Sequence, residues 1–166
     1  MNTQRILCPT DFSHFTDAAL SYASSLAAES GATLYIAHVD EYRDSSAALG
    51  EAAISYAAPW GVTDRSEVRQ RLDQVKPTLS HVAFEHRYLE GAPVREIVDF
   101  ARREDVDLIV MGSHGRTGLS RLLMGSVAEG VARRAPCPVL IVKQPMEVRK
   151  REKHPNNSDQ EFRLVS

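Results

Sequence analysis

Four small residues in the C-terminal half of the chain are spaced as in a site that binds an anion. Gly112 and Gly115 follow an apolar segment, and Gly125-Ser126 comes after nine further residues. Glycine reaches positive φ without a Cβ clash and lets a ligand approach the main chain closely. A helix that begins at Gly125-Ser126 would also direct unpaired N–H groups and the positive end of its dipole into the loop. The pattern therefore favours a main-chain cradle for an anion, of which phosphate is the commonest.

The segments around this loop indicate how it is positioned. Val106 to Met111 is a short apolar run, typical of a strand that is buried on both faces. After Gly125-Ser126 the apolar residues recur at helical spacing until Pro136, and Pro138 to Val142 forms a second apolar strand. The unit is strand, glycine loop, helix, strand. In the alternative interpretation Gly112 only ends a strand, but the Gly-Ser start of the helix favours binding.

The rest of the chain predicts the same alternation of strands and helices. The predicted strands cover residues 5–8, 32–39 and 81–88, and the predicted helices follow Ser13, Thr63 and Ala92. Ser13 is expected to cap the first helix, and Gly31 to end it. Apolar spacing extends the second helix as far as Leu79. Five strands alternating with four helices predict a three-layer α/β domain around a parallel sheet.

Composition excludes several classes of protein. The chain has 166 residues, 43% apolar and 25% charged, which suits one soluble domain. A formal net charge of −2 gives no overall attraction to nucleic acid or to an acidic membrane surface. No apolar run approaches the ~20 residues of a membrane span, and the first residues lack a secretory pattern. Cys8 and Cys137 lack metal-site spacing and fit a reducing compartment, so we expect a cytoplasmic protein without nucleic-acid or membrane partners.

Two segments are less informative. Residues 41–60 are rich in Ala and Ser and match no regular pattern. Residues 145–166 are polar, with a short basic cluster, and are expected to form a partly disordered extension of a domain that spans residues 1–144. The alternative for this tail is a basic segment that binds a partner.

The glycine spacing resembles the nucleotide-binding signature of the ATP-binding branch of the universal stress protein family. The similarity continues from Gly112 to Lys143, and the opening segment ILCPTDFS is similar to the first strand and loop of that family. Altogether it covers roughly residues 3 to 143. It implies an open sheet with helices on both faces and the strand order 3-2-1-4-5, so that strands one and four flank the point where the order reverses. Ligands bind outside the carboxyl ends of strands at such points, where Pro9-Thr10-Asp11 and Met111-Gly112 would meet.

The resemblance also implies roles for individual residues. The Asp11 carboxylate and the backbone of Pro9 and Thr10 would contact the sugar and adenine, with Val39 against the base, although Asp11 has an alternative role as a helix-capping acid. Met111 is expected in the core with one edge exposed to the ligand. Phosphates would lie between a loop and the N–H groups of a helix. The complete set expected to bind nucleotide is Pro9, Thr10, Asp11, Val39, Met111, Gly112, His114, Gly115, Arg116, Gly125, Ser126 and Val127.

The resemblance therefore implies a small ATP-binding stress-response or regulatory protein that acts by binding and switching. Mg²⁺ would arrive with ATP, held mainly by phosphate oxygens and water. A homodimer through the last strand, Pro138 to Val142, and a further protein partner are expected. Two alternatives are a slow ATPase or phosphotransferase, and a dimeric interaction module that binds no nucleotide.

Other phosphate chemistries do not match the sequence. A phosphoacceptor receiver domain needs several carboxylates around one metal, whereas Asp11 stands alone after the first strand. A nucleotidyl transferase of related fold needs a His-x-Gly-His pattern there, and a Walker loop needs a Lys before Ser126. The six histidines lack the i,i+4 pairing with a third ligand that is expected of a zinc site.

Overall fold

The chain forms an open parallel sheet between two layers of helices. The computed structural model describes residues 3–14, 16–41, 65–113 and 124–143. Its strands are β1 (Arg5–Pro9), β2 (Thr33–Asp40), β3 (Phe84–Glu90), β4 (Leu108–Gly112) and β5 (Val139–Val142). Its helices are α1 (Asp17–Ser30), α2 (Arg65–Gln74), α3 (Pro93–Arg103) and α4 (Ser126–Arg134). Every strand pairing is parallel and the order is β3-β2-β1-β4-β5, which confirms the expected topology.

The strand residues alternate between two hydrophobic clusters, one on each face of the sheet. Ile6 and Cys8 of β1 join the cluster beneath α1 and α2, where the alanines of α1 let that helix approach the sheet closely. Leu7, between them in sequence, joins the cluster beneath α3 and α4. Both faces of the central strands are therefore buried, which is why they are apolar at consecutive positions. The three-layer prediction is confirmed.

Two predicted helix boundaries are wrong. Ser13 does not cap α1, because its hydroxyl donates to the Asp11 carboxylate and Thr16 occupies the N-cap position. Helix α2 ends at Gln74, and Leu79 lies beyond it with 36% of its surface exposed. Pro77 explains this end, since a proline disfavours helical geometry in the residue before it. The predicted end of α1 is confirmed, since Gly31 follows the helix with φ of 70°.

Two strands begin two or more residues later than predicted. β3 begins at Phe84 rather than His81, and β4 begins at Leu108 rather than Val106. Val106 is buried, but its N–H donates to the Ala101 carbonyl, so it belongs to the turn after α3.

The cap expected at Thr63, the segment 41–60 and the tail 145–166 lie outside the described residues. In the described part of the chain, each helix is too short or too polar to span a membrane.

Candidate functional site

The carboxyl ends of β1 and β4 lie side by side where the strand order reverses. Ile6 pairs with Leu108 and Leu7 with Ile109. Continuing this register by two residues sets Pro9 beside Met111. The chain segments that leave the sheet there, 10–11 and 112–113, therefore start from neighbouring positions although they are a hundred residues apart in sequence. The structure thus brings together the two segments that the sequence predicted to meet.

Thr10 fixes the start of the β1 loop against β2. Its N–H donates to the Ala37 carbonyl at 2.8 Å, one residue beyond the end of the strand. Its own carbonyl lies 2.7 Å from Nδ1 of His38, and because a carbonyl can only accept, Nδ1 carries the hydrogen. His38 is buried and was not among the predicted site residues. A polar residue near the end of an otherwise apolar strand was the signal that would have identified it.

Asp11 is held in a local turn rather than at a helix cap. Its Oδ1 accepts from the Ser13 N–H at 3.0 Å and from the Ser13 hydroxyl at 2.6 Å. The Phe12 N–H donates to Oγ1 of Thr10 at 3.0 Å. These bonds are typical of turns in which Asp and Thr side chains fix the backbone two residues later. Because Thr16 occupies the N-cap position of α1 and the Asp11 carboxylate accepts its two bonds from Ser13, the helix-capping role considered for Asp11 does not apply.

The start of α4 is fastened to the end of β4. The Gly125 N–H donates to the Ser113 carbonyl at 2.8 Å, and the Ser113 N–H donates to the Val142 carbonyl at 3.0 Å. The first bond within α4 runs from the Glu129 N–H to the Gly125 carbonyl at 2.9 Å. Gly125 has no side chain with which to cap the helix. The N–H groups of the first turn, beginning with Ser126, thus have no acceptor inside the helix and lie beside the β4 end.

The other predicted residues that the structure describes lie at the same carboxyl edge of the sheet. Met111 is buried and Val39 is half-buried, and both contribute to the cluster on the α3 and α4 face. Val127 packs against that cluster from the first turn of α4, while Ser126 is exposed. Gly112 is the last residue of β4. His114, Gly115 and Arg116 lie outside the described residues.

Two titratable groups near this edge, Cys8 and Tyr88, are held in their neutral forms. Burial raises the pKa of the Cys8 thiol, one residue before Pro9, to about 12. Burial and the Asp40 carboxylate together raise the pKa of Tyr88 to about 12, and the Tyr88 hydroxyl donates to Asp40 at 2.6 Å. Cys8 is therefore not a thiolate nucleophile at neutral pH. Tyr88 acts as a donor that fixes Asp40 at the end of β2.

The site offers two kinds of binding group among the described residues. On the β1 side they supply a carboxylate, and on the β4 side they supply helix N–H groups with the positive end of a dipole, a combination that suits a ligand carrying both hydroxyls and an anion. Among the described residues no cluster of three or more His, Cys, Asp or Glu side chains could hold a metal ion.

Comparison with known proteins gives the family of the chain. Residues 2–143 match the sequence profile of the universal stress protein family. Universal stress protein MJ0531 of Methanocaldococcus jannaschii is 39% identical over 147 residues, covering 86% of this chain and 83% of its own. The solved structure of MJ0577, a universal stress protein of the same organism, is 29% identical with a TM-score of 0.70, covering 87% of this chain and 99% of that one.

Two further solved structures contain ligands. A universal stress protein in complex with cAMP is 28% identical with a TM-score of 0.56, over 86% of this chain and 98% of that one. The universal stress protein from Archaeoglobus fulgidus in complex with dAMP is 25% identical with a TM-score of 0.53, over 86% of this chain and 100% of that one. The family match spans nearly all of the described fold, and the resemblance seen in the sequence is confirmed. The chain belongs to the universal stress protein family.

Proposed function

We propose that this protein binds an adenine nucleotide, ATP with Mg²⁺, and acts as a nucleotide-dependent switch in a stress response. The observation that carries the proposal is the convergence of the β1 loop, the end of β4 and the start of α4 at one edge of the sheet. This edge lies at the reversal of strand order, where open α/β sheets bind their ligands.

The start of α4 suits the phosphates. Its first-turn N–H groups and dipole favour an anion, and the bond from Gly125 to Ser113 holds them beside Gly112. His114, Gly115 and Arg116 complete this side in the proposal. Mg²⁺ would be held by phosphate oxygens and water and would neutralise phosphate charge. The N–H groups at the start of α4 are hydrogen-bond donors, and phosphate oxygens accept such bonds.

The β1 and β2 ends suit the nucleoside. The Asp11 carboxylate would accept from sugar hydroxyls, with the Pro9 and Thr10 backbone beside it and the apolar side chain of Val39 against the base. Both ligands of the solved relatives contain adenine and one phosphate. This shared chemistry supports an adenine nucleotide as the ligand class of the present site, with Met111 packed beneath it.

The switch itself would act through populations of surface states. A ligand that binds one arrangement of the glycine loop more tightly than another shifts the protein towards that arrangement, which a protein partner can then recognise. The neutral, buried Cys8 fits a reducing cytoplasm, where we place the protein.

A second copy of the chain is proposed to pair along β5. This strand lies at the sheet edge next to β4, and Leu140 exposes 38% of its surface there. An edge strand presents unpaired main-chain groups, which makes it a template for another strand. Pairing between two copies would continue the sheet across the dimer.

The proposal is tested by denaturing the purified protein and identifying any released nucleotide by mass, followed by calorimetric titration of the emptied protein with ATP, ADP and AMP. We expect a released adenine nucleotide and saturable binding. Asp11→Ala should weaken binding, whereas Asp17→Ala, which removes an exposed acid from the first turn of α1, should not. A wild-type protein that releases no nucleotide and binds none of the three would overturn the proposal.

A further inference from the structure

Phe12, directly after Asp11, has an unfavourable backbone conformation. Its φ is 62°, in the left-handed region where a Cβ is crowded against the backbone. A bulky aromatic residue is uncommon there and needs support from its surroundings. This conformation turns the chain between the proposed nucleotide site, at the carboxyl ends of β1 and β4, and the layer of α1 and α2, so that Phe12 packs on that layer while Asp11 stays at the sheet edge.

Two side chains from different elements support the Phe12 ring. The His38 ring of β2 lies 4.2 Å from it, centroid to centroid, at an interplanar angle of 31°. The guanidinium carbon of Arg71, on α2, lies 4.7 Å from the Phe12 centroid. His38 also donates to the Thr10 carbonyl, so it holds both ends of the Thr10–Phe12 segment.

We propose that Arg71 and His38 are positioning residues for the nucleotide site, and that they act by holding Phe12 in its left-handed conformation. This inference rests on the function proposed above. The bonds from Ser13 to the Asp11 carboxylate depend on the turn that Phe12 makes, so the orientation of Asp11 follows from that conformation. Helix α2 packs on the opposite face of the sheet from α4 and would therefore influence nucleotide affinity from the side away from the proposed phosphate site.

The exposure of Arg71 determines how strongly its loss should change nucleotide affinity. Arg71 is exposed, and it lines a shallow cleft of about 220 Å³ together with Phe12. Solvent therefore reaches the contact between guanidinium and ring, which has the strength of a surface cation–π interaction. Loss of such a contact corresponds to a nucleotide affinity about two- to fivefold weaker.

The test compares Arg71→Ala with a matched control on the same helix. Arg69 carries the same charge and stacks on Tyr88, with its guanidinium carbon 4.4 Å from that ring. Arg71→Ala should weaken ATP binding about two- to fivefold by calorimetry. It should also speed hydrogen exchange at the Phe12 and Ser13 amides in the ligand-free protein. Arg69→Ala should change neither the affinity for ATP nor the amide exchange. Equal losses of affinity in Arg69→Ala and Arg71→Ala would refute a specific role for Arg71.

Substitutions of Phe12 separate positioning from general stability. Phe12→Ala removes the ring and keeps the Cβ that disfavours positive φ, whereas Phe12→Gly removes both. The glycine variant should therefore bind ATP at least about fivefold more tightly than the alanine variant. Adding Arg71→Ala to Phe12→Gly should leave the affinity unchanged, because glycine adopts the turn without support. If Arg71 had a merely structural role, Arg71→Ala would lower the affinity for ATP both in the wild type and in the Phe12→Gly variant.

The outcomes distinguish this inference from the proposed function. A wild-type protein that binds ATP, together with an Arg71→Ala variant of equal affinity and unchanged amide exchange, would overturn the positioning role alone. Absence of ATP binding in the wild type would overturn the proposed function and the coupling to it together.

Discussion

Replacing Ser126 with proline would remove one N–H group from the proposed phosphate site while preserving the fold. Ser126 is the first residue of α4, where the fixed φ of proline suits a helix. Gly125 before it has φ −60° and ψ 146°, the extended geometry that a residue preceding proline prefers. The chain already uses this arrangement at α3, where Pro93 follows Ala92 with φ −76° and ψ 119°. We therefore expect Ser126→Pro to fold with unchanged stability.

The expected loss of affinity follows from the lost donor. A hydrogen bond to a charged group contributes about 1.5–3 kcal/mol, and each 1.36 kcal/mol corresponds to a factor of ten. Ser126 is exposed, so water competes for its N–H and the lower end of this range applies. Ser126→Pro should accordingly weaken ATP binding by roughly tenfold.

Calorimetric titration with ATP and Mg²⁺ measures this loss, with thermal unfolding as the check on the fold. Ser126→Ala is the matched control, since it removes the hydroxyl and keeps the N–H. If the backbone donor matters as argued, the proline variant binds more weakly than the alanine variant. Equal affinities of Ser126→Pro and wild type, with equal melting temperatures, would refute the role assigned to the start of α4.

Three further predictions concern the edge strand, the buried thiol and the buried histidine. If two copies pair through β5 as proposed, Leu140→Arg should be a monomer in light scattering at micromolar concentration, whereas Leu79→Arg, at a similarly exposed apolar residue away from β5, should be a dimer like the wild type. A dimeric Leu140→Arg protein would argue against pairing through β5. Burial raises the pKa of Cys8 from 9.0 to about 12. The unfolded thiol therefore ionises first, and above pH ~9 Cys8 should lower the free energy of unfolding by up to about 1.4 kcal/mol per pH unit. Cys8→Ala should show a slope smaller by that amount in urea titrations, and the slope that remains includes Tyr88, whose pKa is raised from 10.0 to about 12. His38→Phe keeps a ring but leaves the Thr10 carbonyl without its donor, and should lower the free energy of unfolding by about 1–3 kcal/mol. His38→Asn, which can still donate, should lower it less. A His38→Phe protein as stable as the wild type would contradict the importance of this bond.

The sheet and its layers follow from patterns that the sequence displays directly. Apolar runs such as Val106 to Met111 indicate buried strands, and alternation with helices favours a parallel sheet. The strand order came from the family resemblance and is confirmed by the pairing of β1 with both β2 and β4. Boundaries were less accurate where periodicity continued past a helix end, as at Leu79 beyond Pro77.

The candidate site was predictable in its segments but not in its internal contacts. Glycine spacing and the ILCPTDFS opening pointed to the segments that follow β4 and β1, and the fold places the ends of these two strands side by side. The left-handed Phe12, the His38 bond to Thr10 and the Gly125 bond to Ser113 depend on contacts that only the folded chain creates. The sequence marks His38 as a polar residue in an apolar strand, but no local pattern gives the partners of these contacts. The nucleotide-binding roles of all the predicted site residues, and the role of the tail 145–166, stay predictions.

Amide chemical shifts recorded during titration with ATP and Mg²⁺ test the central claim most directly. If main-chain N–H groups at the reversal point bind the phosphates, the largest shifts occur at Gly112, Ser126 and Val127, with further shifts at Asp11. Saturable shifts confined to other surfaces, or none at these amides at millimolar ATP, would contradict the account.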